Sequence, residues 1–301
     1  MAQSHRFDLS LFEVPEGGFT PLTHFDPDYT GQIKNKKQSK KTLKEDINDL
    51  AEAQELLWAS KTHSLLIIFQ AMDAAGKDGT IKHVMTGINP QGCDVFGFKA
   101  PSEEERLHNF LWRPEKYIPP RGKIAIFNRS YYEEVLVVRV HPEILAKEWL
   151  PLGLREAPLE DVWKSRFHEI NAFEKRMTKN GVQVIKFFLN VSKEEQLRRF
   201  IDRLATPGKR WKFSPSDYAE KKYWDDYQFA YEQMLNATST HYAPWYVIPA
   251  NNKWYMRAVV ADIITSRIEK LDLKYPQITL EEDQRLDKIQ AELEHELAGL
   301  R

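Results

Sequence analysis

Two hydrophobic periods alternate along the chain. Residues 65–69 form an unbroken apolar run, as expected of a strand covered on both faces. Similar short runs mark strands at 94–98, 123–127, 182–189 and 245–249. Between them the apolar positions recur every three or four residues. Leu43, Ile47, Leu50, Leu56 and Leu57 predict a helix over about 37–61, and Ile81, Val84, Met85 and Ile88 mark one face of a helix after the first strand. Capping-box pairs, Ser102 with Glu105 and Ser192 with Glu195, open helices over 102–112 and 192–204. Further helices are expected over 131–140, 161–179 and 253–271. Repeated strand–helix pairs predict an α/β fold, a parallel sheet with helices on both faces.

Three stretches break this rhythm. Residues 1–36 carry Pro15, Gly17, Gly18, Pro21 and Pro27 and read as an irregular arm on the body. Residues 141–160 are Pro-rich and patternless. Residues 205–226 are basic and aromatic, with Lys209, Arg210, Trp211, Lys212 and Phe213 framed by Pro207, Gly208 and Pro215. Such an excursion between sheet elements suggests a mobile lid over a site. The expected organisation is therefore an arm at 1–36, a main domain over 37–278 that includes the lid, and a terminal helix over 279–301. In that helix Leu286, Ile289, Leu293, Leu297 and Leu300 have coiled-coil-like spacing, which suits either packing on its own domain or pairing of subunits.

Composition narrows the picture only slightly. Forty-three basic and forty-four acidic side chains leave a net charge of -1 over 301 residues, which argues against a dedicated nucleic-acid binder. A basic run at Lys34, Lys36, Lys37, Lys40, Lys41 and Lys44 is either a solvated helix face or a docking surface for a polyanion. The single cysteine, Cys93, excludes a disulfide framework and reads as a small buried apolar residue. With neither a signal-like nor a membrane-spanning apolar stretch, the expected compartment is the cytoplasm, with no membrane partner.

The candidate chemistry begins where the first strand ends. Residues 71–80 read Ala-Met-Asp-Ala-Ala-Gly-Lys-Asp-Gly-Thr, a small-residue turn running into a helix. This is the layout of a phosphate-binding loop, in which backbone N–H groups of Ala74, Ala75, Gly76, Asp78 and Gly79 face an anion and Lys77 reaches its outer oxygens. It departs from G-x-x-x-x-G-K-[ST] twice. Ala71 replaces the first glycine, and Asp78 stands where a magnesium-binding hydroxyl belongs, with Thr80 two positions too late. Asp73 is the informative oddity, since a carboxylate in a phosphate cradle repels the ligand. It could hold magnesium against the phosphates, orient the attacking phosphate, or merely cap the turn. A second constellation, Asn128-Arg129-Ser-Tyr-Tyr-Glu133-Glu134, closes the third strand. Asn128 takes the place of a metal-facing acidic residue and Glu133 and Glu134 could supply the missing charge. Arg129 could fork onto phosphate oxygens or form a structural ion pair.

At these residues the chain resembles the polyphosphate kinase 2 family. The blocks QAMDAAGKDGTIKHV, FNRSYYEEVLVVRVH, PGKRWKFSPSD and APWYVIPANNKWYMR carry the likeness across about 40–275. They are most similar to the class III subgroup, which phosphorylates nucleoside mono- and diphosphates. The resemblance implies a thymidylate-kinase-like P-loop kinase fold, with a parallel five-stranded sheet between helices and a helical lid. It implies catalysis by Asp73, Lys77, Asn128, Arg129 and Glu133, and magnesium at Asp73 and Glu133, with manganese able to substitute. Nucleotide binding falls to Asn128, Glu133, Glu134 and Arg139, and the lid residues are Arg203, Lys209, Trp211 and Lys212. Lys82, Lys99 and Arg113 become candidates for the polyphosphate channel. The implied partners are polyphosphate, nucleotides and further copies of the chain, as a dimer or tetramer. Two rivals stand beside this reading: an ATP-dependent nucleoside monophosphate kinase, and a non-catalytic polyphosphate- or nucleotide-binding module. Choice of base, AMP against ADP, and direction of transfer are not encoded in any of these motifs.

Overall fold

The computed structural model describes residues 6–31, 33 and 36–300, without the side chains of Lys36, Ser39 and Lys40. Lys34 therefore lies outside the described residues, as do the side chains of Lys36 and Lys40. Five parallel strands, β1 (Ser64–Gln70), β2 (Cys93–Gly97), β3 (Ile124–Asn128), β4 (Val182–Asn190) and β5 (Trp245–Pro249), form one sheet in the order β2-β3-β1-β4-β5. The expected α/β sheet is thus present, with strand ends displaced by a residue or so. β1 is the middle strand, pairing Leu65 with Ile124 of β3 and Leu66 with Val184 of β4. All seven of its residues are buried, which is why it reads as an unbroken apolar run.

The main helices are α1 (Lys36–Ser60), α2 (Lys77–Val84), α3 (Leu159–Lys179), α4 (Lys193–Ala205), α5 (Trp224–Thr238), α6 (Lys253–Glu269) and α7 (Leu280–Gly299). α1 packs along α6, whose side chains are buried on most of its faces. The described part of the arm is tied down at several points. Val14 N–H donates to Trp245 O at 2.9 Å and Val247 N–H to Phe12 O at 2.7 Å, so the arm occupies the open edge of β5. Arg6 reaches Asp46 of α1 at 2.6 Å.

Two expected helices are broken instead. The 102–112 segment keeps its Ser102–Glu105 capping box but ends at Leu107. Asn109 then accepts from Leu111 N–H at 2.8 Å and starts a separate turn, Trp112–Glu115, while His108 stacks on Trp112 at 3.8 Å. Over 131–140, Ser130 accepts from Tyr132 N–H and winds Tyr131–Val135 into a 3-10 turn. Leu136, at φ −111° and ψ −81°, separates this from a short helical turn, Val137–Val140. Burial of Tyr131, Tyr132, Val135, Leu136 and Val138 explains the break, because one helical face cannot sink all of them into the core.

α7 carries a full Thr279–Glu282 capping box yet buries no residue. Packing of this helix on its own domain, one of the two expectations for it, does not occur. No helix among the described residues is long and apolar enough to cross a membrane. Cys93 is half-buried, and burial pushes its thiol up to about 11, away from thiolate chemistry.

Gly122 sets the entry to β3. It sits at φ +86°, and a Cβ there would lie 3.2 Å from Trp58 O. Gly122→Ala is expected to destabilise the protein by about 1–3 kcal/mol through combined left-handed strain and crowding, read from the urea midpoint. Gly153→Ala, with nothing within 4 Å, serves as the neutral control.

Candidate active site

The loop between β1 and α2 turns twice through left-handed backbone, at Ala74 (φ 61°) and Gly76 (φ 111°). Ala71 does not have a positive φ, which is why alanine suffices where the consensus has glycine. α2 then starts at Lys77 with no side-chain cap, so the N–H groups of its first turn have no side-chain acceptor and favour an anion. The loop carbonyls, by contrast, are all engaged. Lys77 Nζ donates to Ala71 O at 2.7 Å, Ala75 N–H to Met72 O at 3.3 Å, and Gln196 Nε2 to Asp73 O at 3.0 Å. Arg199 donates to Ala74 O at 3.1 Å and Ala75 O at 2.5 Å, and Thr80 N–H and Oγ1 both donate to Gly76 O. Thr80 is buried and spent on the backbone, so it is not placed to replace the missing consensus hydroxyl.

Arg199, from α4, was not singled out by sequence reasoning. Its Nε meets Glu195 at 2.7 Å, and its other amino group donates to Ala250 O at 2.5 Å and Asn251 O at 3.0 Å after β5. One buried guanidinium therefore joins the phosphate loop to the end of β5. Its signal was a Glu–Arg pair four residues apart on the face carrying Gln196 and Phe200. The expected Ser192–Glu195 capping box is half-formed for the same reason. Ser192 accepts from Glu195 N–H, but the Glu195 carboxylate turns to Arg199.

Across the crevice, Arg129 also adopts left-handed backbone (φ 64°), and its N–H donates to Phe69 O at 3.1 Å, extending the β1–β3 ladder by one bond. Its guanidinium meets Asp73 at 3.2 Å. Asn128 Nδ2 donates to Asp78 Oδ1 at 2.8 Å, so the residue in the hydroxyl position links α2 to the end of β3. Burial pushes the Glu133 carboxyl up, against the pull of Arg129, Lys77 and a bond from Gln70. Burial likewise lowers Lys77, while Asp73 opposes that shift. Asp73, Lys77, Asp78, Asn128, Arg129 and Glu133 thus gather at the carboxyl ends of β1 and β3, where open α/β sheets place ligands.

A cavity of about 750 Å³ opens beside this group, lined by Arg129, Glu133 and Glu134 and by Phe98, Lys99, Phe110 and Arg113. Its far wall comes from the patternless 141–160 stretch, including Ile144, Trp149, Leu150 and Leu154, for which the sequence offered no role. Arg166 holds Glu134 at 3.1 Å and also pairs with Glu148. Burial, with Glu148 nearby, pushes the Glu134 carboxyl up to about 7. Arg139 lies elsewhere. It pairs with Glu160 at 2.9 Å and rests on Trp163 and Phe229, away from the cavity lining. Lys82 is exposed on α2 and does not line the cavity either. Arg113 donates to Lys99 O and pairs with Glu105, which holds both channel candidates at the cavity wall.

The lid segment folds as a 3-10 turn (Pro207–Lys212), a short helix (Pro215–Glu220) and a second 3-10 turn (Lys221–Tyr223). Arg203 braces it, reaching Asp217 at 3.5 Å and Lys212 O at 3.3 Å. Lys209, Trp211 and Lys212 point to solvent, Trp211 being 77 % exposed. Among the described residues no cluster of three or more His, Cys, Asp or Glu side chains could hold a metal.

The family profile described as "Polyphosphate kinase 2" matches residues 33–276, spanning the sheet, the loop and the lid. The chain belongs to the polyphosphate kinase 2 family. It is 47% identical over 272 residues to an "ADP-polyphosphate phosphotransferase" of Rhodopseudomonas palustris, covering 89% of this chain and 92% of that one. It is 44% identical over 270 residues to an "AMP/ADP-polyphosphate phosphotransferase" of Meiothermus ruber, covering 89% and 96%. The crystal structure of polyphosphate kinase 2 from Arthrobacter aurescens superposes with a TM-score of 0.83 at 38% identity, over 95% of this chain and 98% of that one. The P-loop kinase fold of this family is the one built here. Within it, Arg199→Lys tests the tie under the loop. An ammonium cannot serve four carbonyls and Glu195 together, so the variant should lose about 1–3 kcal/mol of stability and about tenfold or more in activity. Thermal melts and initial rates read the two effects separately.

Proposed function

We propose that this chain transfers the terminal phosphoryl group of inorganic polyphosphate to nucleoside mono- and diphosphates. AMP becomes ADP and ADP becomes ATP, guanine nucleotides are further acceptors, and the transfer is reversible, as in the class III subgroup. The observation that carries this is the acidic, cationic crevice itself, Asp73 against Arg129 inside a phosphate loop, with a roomy cavity opening beside Arg129 and Glu133. Relatives named for transfer between polyphosphate and ADP or AMP support the choice of donor and acceptor.

In this reading the nucleoside lies in the cavity and its terminal phosphate sits beside Arg129. The polyphosphate end lies against the N-terminus of α2, and the chain runs out past the exposed lid cations Lys209 and Lys212. An oxygen of the acceptor phosphate attacks the end phosphorus in line. A new P–O bond forms, the bond to the bridging oxygen breaks, and the shortened chain leaves with that electron pair. Such transfer needs alignment and charge neutralisation more than covalent help. Lys77 and Arg129 hold the equatorial oxygens, and Asp73 orients the acceptor. The Asp73 and Glu133 carboxylates and the Asn128 amide oxygen are hard oxygen donors that suit magnesium, or manganese in its place. Too few side chains converge for an all-protein cage, so phosphate oxygens would complete the shell. When bound, the ion would offset negative charge gathered on the two phosphates.

Asp73→Asn and Lys77→Ala are expected to lower kcat by about a hundredfold or more while the protein stays folded. Retention of more than about a tenth of wild-type turnover in both would remove these residues from the chemistry. The donor–acceptor assignment is tested by a matrix crossing polyphosphate and ATP with AMP, ADP, GMP and GDP, with magnesium present. Product in the polyphosphate rows is expected, and product confined to the ATP rows would make the chain an ATP-dependent kinase.

The exposed apolar stripe of α7, Leu286, Ile289, Leu293 and Leu297, supports a homo-oligomer in which these helices pair between copies. Truncation after residue 278 is expected to reduce the mass seen by light scattering to a smaller assembly. An unchanged mass would place the contact elsewhere.

A further inference from the structure

Beneath the catalytic turn lies an ion pair with no access to solvent. Lys186, at the middle of β4, and Glu174, on α3, are both 0 % exposed and meet at 2.6 Å. Lys186 uses its other two protons on Tyr132 Oη at 2.9 Å and Thr238 O at 2.7 Å. Glu174 accepts from Lys186 on one oxygen and, on the other, from Tyr131 at 2.8 Å and Tyr132 at 2.7 Å. Trp245 donates to Thr238 at 2.9 Å, and Lys186 lies against the Tyr132 and Trp245 rings. Every donor of the ammonium is satisfied, as a buried charge requires.

The location of this cluster matters more than its strength. Tyr131 and Tyr132 stand between Arg129 and Glu133, on a 3-10 turn, a form with poorer hydrogen bonds than an α-helix. The turn starts from Arg129 in left-handed backbone. Its other side-chain ties are Ser130 Oγ to Gln70 Nε2 at 3.2 Å and to Tyr132 N–H at 3.2 Å, and, at its far end, Arg166 to Glu134 O at 2.6 Å and to the Glu134 carboxylate at 3.1 Å. Two phenolic hydroxyls gripping one buried carboxylate therefore fix the height and rotation of the segment that carries Arg129 and Glu133. A buried ion pair is weak evidence for stability, since well-packed apolar side chains of similar volume are often as good.

We propose that Lys186 and Glu174, acting through Tyr131 and Tyr132, are positioning residues for the Arg129–Glu133 turn and set the rate of phosphoryl transfer rather than the affinity for either substrate. This rests on the function proposed above. It extends that reading to residues that touch neither substrate.

The pair must be altered together, because removing one partner strands a buried charge. In Lys186→Met/Glu174→Leu, which leaves the Tyr131 and Tyr132 hydroxyls without their carboxylate, the protein is expected to stay folded with a modestly lowered melting temperature. kcat should fall about tenfold or more, with both KM values within about twofold, as for slight misplacement of reacting groups. Tyr132→Phe, which removes one hydroxyl and is expected to fold in any case, should show the same split on a smaller scale. Amide hydrogen exchange should quicken over 129–136 and stay unchanged in β1 and β4. A folded double variant with wild-type kcat, or exchange that rises evenly over the whole sheet, would overturn the proposal. If the double variant does not fold, the kcat–KM split in Tyr132→Phe decides. Should the wild-type protein use ATP and not polyphosphate, the functional reading fails while the same ratios, measured with ATP, still test positioning. Should it turn over nothing, the exchange pattern alone decides it.

Discussion

A loop that turns its N–H groups outward to an anion must turn its carbonyls inward, and inward carbonyls need donors. That constraint organises this protein around residues 71–76. Lys77, Gln196, Arg199 and Thr80, with one bond inside the loop, satisfy every carbonyl from Ala71 to Gly76. Because Gln196 and Arg199 come from α4, the loop is held by the helix after β4, and Arg199 carries the tie on to the chain after β5. The middle strand, its neighbours and the phosphate site are therefore one mechanical unit. Left-handed turns at Ala74, Gly76 and Arg129 can persist because this surrounding network fixes them.

The charge pattern follows from the same geometry. Asp73, Asp78 and Glu133 face Lys77 and Arg129, and each acid is balanced within the protein by a cation or an amide. Asp73 has Arg129, Asp78 has Asn128, and Glu133 has Gln70 beside it. A crevice balanced in this way suits a ligand that is itself strongly negative and arrives with counterions, since the acids can then turn to a metal while the cations turn to phosphate. Lys209 and Lys212 are exposed to solvent, free to meet a polyanion from outside.

Much of this was legible in the sequence, for identifiable reasons. The apolar run before residue 71 and the small-residue turn after it marked β1 and the phosphate loop, since a fully buried strand has no polar face to alternate. The departures at Asp73 and Asp78 were informative because charge in a cradle requires a partner. Less legible were features that depend on residues distant in sequence. Nothing local separates Arg199 from the other arginines of its charged helix; its carbonyl partners lie far off in sequence, after β1 and β5. The role of 141–160 was hidden because a cavity wall needs no periodicity. The expected helix over 131–140 failed because two tyrosines with a buried carboxylate and lysine beneath them outweigh local propensity. Arg139, grouped with the nucleotide contacts by its place in a motif, has partners the motif did not show, Glu160 and two aromatic rings.

The most direct test of the central claim, direct transfer from polyphosphate, is the initial rate of AMP consumption with polyphosphate in the presence of hexokinase and glucose, which convert any ATP to ADP. AMP should disappear at an undiminished initial rate, because the phosphoryl group passes from the chain end to the acceptor without an ATP intermediate. Loss of AMP phosphorylation when the trap is added would contradict direct transfer and assign the phosphate loop to ATP.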